Sequence, residues 1–213
     1  MSAKAKTGPD FEKLYRLAER QGGFFTAHQA VTAGYSRPNH TYHVKTKDWE
    51  RCERGIYRLS HFPALGRQDV IVAYLWCSDI DGKPQGVISH DTALEVHKLS
   101  TWVSPKYHLT VKKGFRKRGE SKFRVQFHYS ELNLQDTEIV DGFRVTKPLR
   151  TIVDLLDWGQ LELRHLKEAL SQALQNYQIL PDDIRQLPLS AEQIASFKRL
   201  LQMFSDPEIR GLL

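Results

Sequence analysis

The sequence predicts an α+β protein, with an N-terminal winged helix-turn-helix followed by a mixed α/β domain that ends in helices. Three observations carry this. Two short helical stretches flank a Gly34-Tyr35 turn, two alternating stretches follow directly and end at Leu59, and from Pro148 onward the apolar spacing is helical.

In residues 10–21, Phe11, Leu14, Leu17 and Ala18 recur at helical spacing with charges opposite, and Gly22-Gly23 stops the run. This is the supporting helix. After the Phe24-Phe25 pair, Thr26 can cap a helix over 27–33, which Gly34 closes with a left-handed turn. Ser36 then caps a second helix, with Pro38 in its first turn, where a missing N–H costs nothing. Residues 37–47 form the expected recognition helix. Periodicity turns His40, His43 and Val44 toward the core and Arg37, Pro38, Thr41, Tyr42 and Lys45 outward, with Asn39 at the N-terminal edge. Arg and Asn can bond guanine and adenine edges in pairs, while Lys and Tyr reach phosphate.

Residues 49–53 and 56–59 alternate large or apolar residues with charged ones about Gly55, as a two-stranded wing would. Arg51, Arg54 and Arg58 are placed to lie along phosphates.

These elements set the division: residues 1–61 as the DNA-binding head and 62–213 as the second domain, joined near 62–66. The head carries eleven Lys and Arg against six Asp and Glu, a net +5; residues 62–149 carry +3 and 150–213 carry −2. A basic balance favours polyanionic partners through counterion release, without giving sequence preference. Cys52 and Cys77 are far apart and lack CxxC spacing, so neither a disulfide framework nor a cysteine zinc site is indicated. The N-terminal residues are polar, and the sequence has no apolar run of membrane length; a cytoplasmic protein is expected.

In the second domain, 67–78 reads as a buried helix, 86–88 as a short strand, and 89–96 as a helix capped by Ser89. Residues 106–112 and 124–129 alternate like paired strands, and 138–146 reads as a hairpin turning at Asp141-Gly142. Helices are expected over 149–158, 161–176, 181–186 and 190–204. Between the paired strands, Lys112, Lys113, Arg116, Lys117, Arg118, Lys122 and Arg124 face a single Glu120, with Phe115 and Phe123 interleaved. Such a run repels itself unless a polyanion or acidic partner screens it. It reads either as a solvated hairpin tip or as a second basic patch beside the wing.

Neither a catalytic nor a metal site is predicted, and no cofactor. His90, Asp91, Glu95 and His97 lack HExxH spacing and a fixed third ligand. Ser104, Ser130, His108 and His128 lie in no nucleophile-elbow frame. Asp79 and Asp81 lack the third group a Mg²⁺-dependent nuclease needs. Thr146 or Thr151 can cap the following helix, and Arg150 can pair with Asp154 at i+4.

The runs FFTAHQAVTAGYSR, RGIYRL, SHDTAL, KYHLTV and VDGFRVTKPLRTIVDLL, in that order over residues 24–178, resemble the AbiEi-type antitoxins of type IV toxin–antitoxin systems. His40 and His43 stand where relatives tend to have leucine. The resemblance implies a bacterial repressor of its own operon, whose winged helix-turn-helix holds the promoter and whose C-terminal domain serves antitoxicity. It also implies a nucleotidyltransferase-like toxin as the operon partner, countered without a stable complex being required. The expected partner is therefore double-stranded DNA with repeated half-sites, bound by a dimer or by cooperative loading, with no membrane involved. A nucleic-acid-processing enzyme and a protein-interaction module that neutralises its partner directly are the alternatives.

Overall fold

Asp10 accepts a hydrogen bond from the Lys13 backbone and so opens α1 (Phe11–Glu19), which buries Leu14 and Ala18. The computed structural model describes residues 8–64, 66–117 and 119–213. Thr26 caps α2 (Ala27–Thr32) in a reciprocal capping box with Gln29, and Gly34 (φ +88°) turns the chain beyond it. The expected recognition helix is divided. Arg37–Asn39 is a 3₁₀ turn with Pro38 in it, and α3 runs His40–Lys45.

β2 (Trp49–Glu53) and β3 (Ile56–Leu59) form the predicted ribbon, and Phe24–Thr26 adds an unpredicted strand, β1, giving an antiparallel sheet in the order β1-β3-β2. Three residues are too few to show a period, so this strand was not legible. Its role explains the paired phenylalanines. Successive strand side chains point to opposite faces, and Phe25 enters the head core with Leu14, Ala30, Tyr35 and Trp49 while Phe24 enters a core with Val70, Ile71, Ile88 and Leu109. The small sheet is therefore covered on both faces.

α4 (Gln68–Trp76) lies under that sheet, as its all-round apolar surface requires. A five-stranded mixed sheet follows: β4 (Gly86–Ile88), β5 (Tyr107–Val111), β6 (Val125–Tyr129), β7 (Thr137–Val140) and β8 (Phe143–Thr146), ordered β6-β5-β4-β8-β7. α5 (His90–Val96) connects β4 to the β5 approach. The β7–β8 hairpin turns at Asp141 (φ +48°) and Gly142 (φ +90°), the left-handed pair its sequence predicted. A Cβ on Gly142 would stand 2.6 Å from the Arg20 carbonyl oxygen, so this glycine also lets the hairpin seat against the end of α1.

β5 and β6 pair in parallel, Leu109 opposite Phe127. Residues 112–124 are therefore a crossover and not the tip of a hairpin. Alternation alone cannot distinguish the two pairings. The C-terminal helices α6 (Pro148–Trp158), α7 (Leu163–Gln175), α8 (Pro181–Arg185), α9 (Ala191–Leu201) and α10 (Pro207–Arg210) enclose a separate core around Ile152, Leu170 and Phe197. Lys147, not Thr146 or Thr151, occupies the cap position of α6; the two threonine hydroxyls bond each other at 2.7 Å. Arg150 Nε donates to Asp154 Oδ1 at 2.7 Å, as the i+4 spacing predicted.

Candidate nucleic-acid interface

The α3 segment is oriented from beneath by a packed aromatic group. His40 is 3 % exposed; its Nε2 donates to the Tyr35 carbonyl at 3.1 Å, and its ring meets Trp49 and Tyr57. Burial lowers its pKa, so the neutral ring is the form that fits this core. His43 stacks on Trp49 and its Nδ1 lies 3.2 Å from Asp48 Oδ2. With these two facing inward, Arg37, Pro38, Asn39, Thr41, Tyr42 and Lys45 are all exposed, Tyr42 at 62 %. A six-residue helix has room for one buried and one free face, and the histidines take the buried one.

On the ribbon, Arg51 and Arg54 are exposed. Arg58 is not. Its guanidinium donates to Glu50 Oε2 at 3.4 Å and to the Phe62 carbonyl, and lies over the Phe24 ring. The expectation that it lies along phosphate is therefore corrected: its strand position faces the covered side of the sheet, and its charge is used within the protein.

The basic crossover is fastened to the head. The Lys122 backbone donates to Glu53 Oε2 on β2, and Phe123 packs edge-on against Trp76 and Tyr107. Lys117 Nζ donates to the Ser78 carbonyl at 2.9 Å and sits over the Trp76 ring. Burial pulls its pKa down. Lys112, Lys113, Arg116 and Lys122 point their charge to solvent as exposed residues, and Arg118 lies outside the described residues. A cleft of about 640 Å³ between head and crossover brings Arg37, Arg54 and Lys117 together with Gly119 and Glu120. Sequence separation hid this meeting of the two basic regions.

Residues 12–60 match the AbiEi antitoxin family of transcriptional regulators. The AbiEi match begins inside α1 and ends just past β3, so it contains the whole aromatic-backed segment and the ribbon. No curated protein gives a significant match to the chain.

Outside the AbiEi match, the fold brings together groups that the sequence did not join. Ser104 Oγ lies 3.1 Å from His108 Nε2, and His108 Nδ1 lies 3.0 Å from His128 Nε2. His90 stacks on His128 with centroids 3.4 Å apart, and its Nδ1 lies 3.0 Å from Ser89 Oγ. Ser89 thus makes no side-chain cap bond to α5. The geometry is not that of a serine nucleophile triad. Asp91 Oδ2 approaches the same Nε2 that Ser104 uses, at 3.6 Å, while an orienting carboxylate belongs on the other ring nitrogen, which here faces His128. Asp79 accepts from the backbones of Asp81 and Lys83 and so shapes a turn. Among the described residues no group of three or more His, Cys, Asp and Glu converges as a metal site, and no helix is long and apolar enough to cross a membrane.

Proposed function

We propose that this chain is a sequence-specific DNA-binding repressor that autoregulates a toxin–antitoxin operon in the bacterial cytoplasm and acts as its antitoxin against a nucleotidyltransferase-type toxin. Its head, residues 1–61, is a winged helix-turn-helix, and residues 62–213 form the antitoxin domain. One observation carries the DNA reading: Arg37 and Asn39 of the 3₁₀ turn and Thr41, Tyr42 and Lys45 of α3 are all exposed, while His40 and His43 fix the other side of α3. That is the arrangement a major-groove reader needs, with base-edge donors at the helix start and phosphate contacts at its flanks. Pro38 keeps the start of the segment tight, and Arg51 and Arg54 add backbone contacts from the ribbon.

The crossover cations extend the same surface. Lys112, Lys113, Arg116 and Lys122 belong to a segment tied to β2 through Glu53, so their contacts would position the protein on the duplex without reading bases. Repeated half-sites, filled by a dimer or by cooperative loading, suit a head that offers one short helix. An electrophoretic mobility shift with the DNA upstream of the chain's own gene tests this reading. Retardation at submicromolar protein that survives excess unrelated duplex supports it; equal competition by any duplex removes the sequence-specific part.

A further inference from the structure

The head has a second concave feature, on the side of α3 opposite the exposed Arg37, Asn39, Thr41, Tyr42 and Lys45; His43, on the inward side of α3, lines it. A cleft of about 350 Å³ is lined by Phe11, Tyr15, Tyr35, Trp49 and Phe62, with Asp48 as its carboxylate. Phe11 and Tyr15 stand one helical turn apart on α1 with ring centroids 5.9 Å apart, and Tyr15 continues to Phe62 at 6.1 Å. Phe11 is 61 % and Tyr15 38 % exposed. Rings left open to water in this way are not explained by the head core, which is already filled by Leu14, Phe25 and Tyr35.

Among the described residues, Asp48 is the one carboxylate of the cleft, and the imidazoles of His43 and His61 also line it. Asp48 Oδ2 accepts from Thr46 Oγ1 at 2.7 Å and faces His43 Nδ1, and these hydrogen bonds hold its carboxyl below the ordinary range. Its Oδ1 accepts no hydrogen bond from a described residue. No Lys or Arg lines the cleft among the described residues. Ser60 Oγ, also in the lining, is buried without a partner among them. A neutral apolar occupant would desolvate the Asp48 carboxylate with no charge to offset it, at a cost. A cation gains from both the ring faces and the carboxylate.

We infer that this cleft binds a small organic cation, an alkylated ammonium whose charge lies against the aromatic rings and faces Asp48. Alkylation matters because a bare ammonium is strongly hydrated and gives up its water reluctantly. The binding stands on the head's own geometry and does not depend on the DNA reading.

The test uses choline and its uncharged isostere 3,3-dimethylbutan-1-ol, titrated separately into the full chain with the Trp49 indole N–H resonance as reporter. Saturable choline binding, at least tenfold tighter than the alcohol, is expected. Asp48→Asn should weaken choline about tenfold and leave the alcohol unchanged. Phe11→Ala, a change at a residue largely in water, should weaken choline severalfold with the rest of the amide spectrum retained. Equal affinity for the two probes would make the cleft a plain apolar pocket and overturn the inference, as would saturable binding of neither probe or choline binding indifferent to both variants.

Discussion

The imidazole of His43 lies against the indole of Trp49, with ring centroids 4.7 Å apart and planes 25° from parallel. His43 belongs to α3 and Trp49 opens β2, so one stack joins the helix proposed to enter the groove to the ribbon proposed to lie beside it. Tyr35, before the 3₁₀ turn, meets both rings. The elements that would touch DNA therefore share one aromatic support.

The neighbouring His40 tests whether that support needs a polar atom. Its Nε2–H is the partner of the Tyr35 carbonyl, so His40→Leu keeps the volume and strands the acceptor in a buried site. We predict a loss of about 1–3 kcal/mol, read by urea denaturation. Unchanged stability would mean that a leucine serves equally well here, and that the hydrogen bond is incidental.

At the free face, Arg37→Ala and Asn39→Ala should each weaken binding to the upstream promoter by about 1–3 kcal/mol per lost base contact while leaving binding to random duplex nearly unaltered. Fluorescence anisotropy on both duplexes makes the comparison. If the two duplexes lose affinity equally, these residues touch only phosphate, and the base readout must be sought in Thr41 or the ribbon.

The crossover cations should behave differently from one another. Lys113→Ala or Arg116→Ala is expected to lower affinity on every duplex and to flatten the dependence of log K on log salt by about 1 per lost phosphate contact. Lys117→Ala should leave that slope alone, because its ammonium is held by the Ser78 carbonyl and the Trp76 face. A slope that falls only in the Lys117 variant would reverse this assignment.

Much of the head was legible because its signals are local. Thr26, Gly34, Pro38 and the alternation about Gly55 each dictate their own few residues, and His40 against Tyr42 follows from helical period. What the sequence concealed depends on distant partners. Arg58 has the same local look as Arg51 and Arg54, and only the covering of the sheet by α4 separates them. The parallel register of β5 and β6, the anchoring of Lys117 and the meeting of Ser104, His108, His128 and His90 are long-range outcomes. The three histidines lie eighteen and twenty residues apart in the chain, with no fixed spacing to read.

That histidine group should set the acid stability of the fold. Burial lowers His108 and His128 to about 4 and His90 further still, with neighbouring histidines adding to the shift at His90 and His108. Each ring is therefore neutral when folded and takes up a proton on unfolding once the pH falls below the ordinary imidazole value near 6.5. The stability they contribute is complete above that value and is lost as the pH falls toward 4, at about 1.4 kcal/mol per pH unit for each proton gained. Asp91 and Asp154, raised by burial to about 6, act oppositely: their neutral form fits the fold, and what they contribute at low pH is lost as the pH rises through 6. Denaturation between pH 4.5 and 7.5 separates the two. His128→Phe should flatten the acid loss, whereas Asp91→Asn, which removes an opposing group, should steepen it. Identical pH slopes in both variants and the unaltered chain would show that these rings and carboxyls titrate alike in the folded and unfolded states.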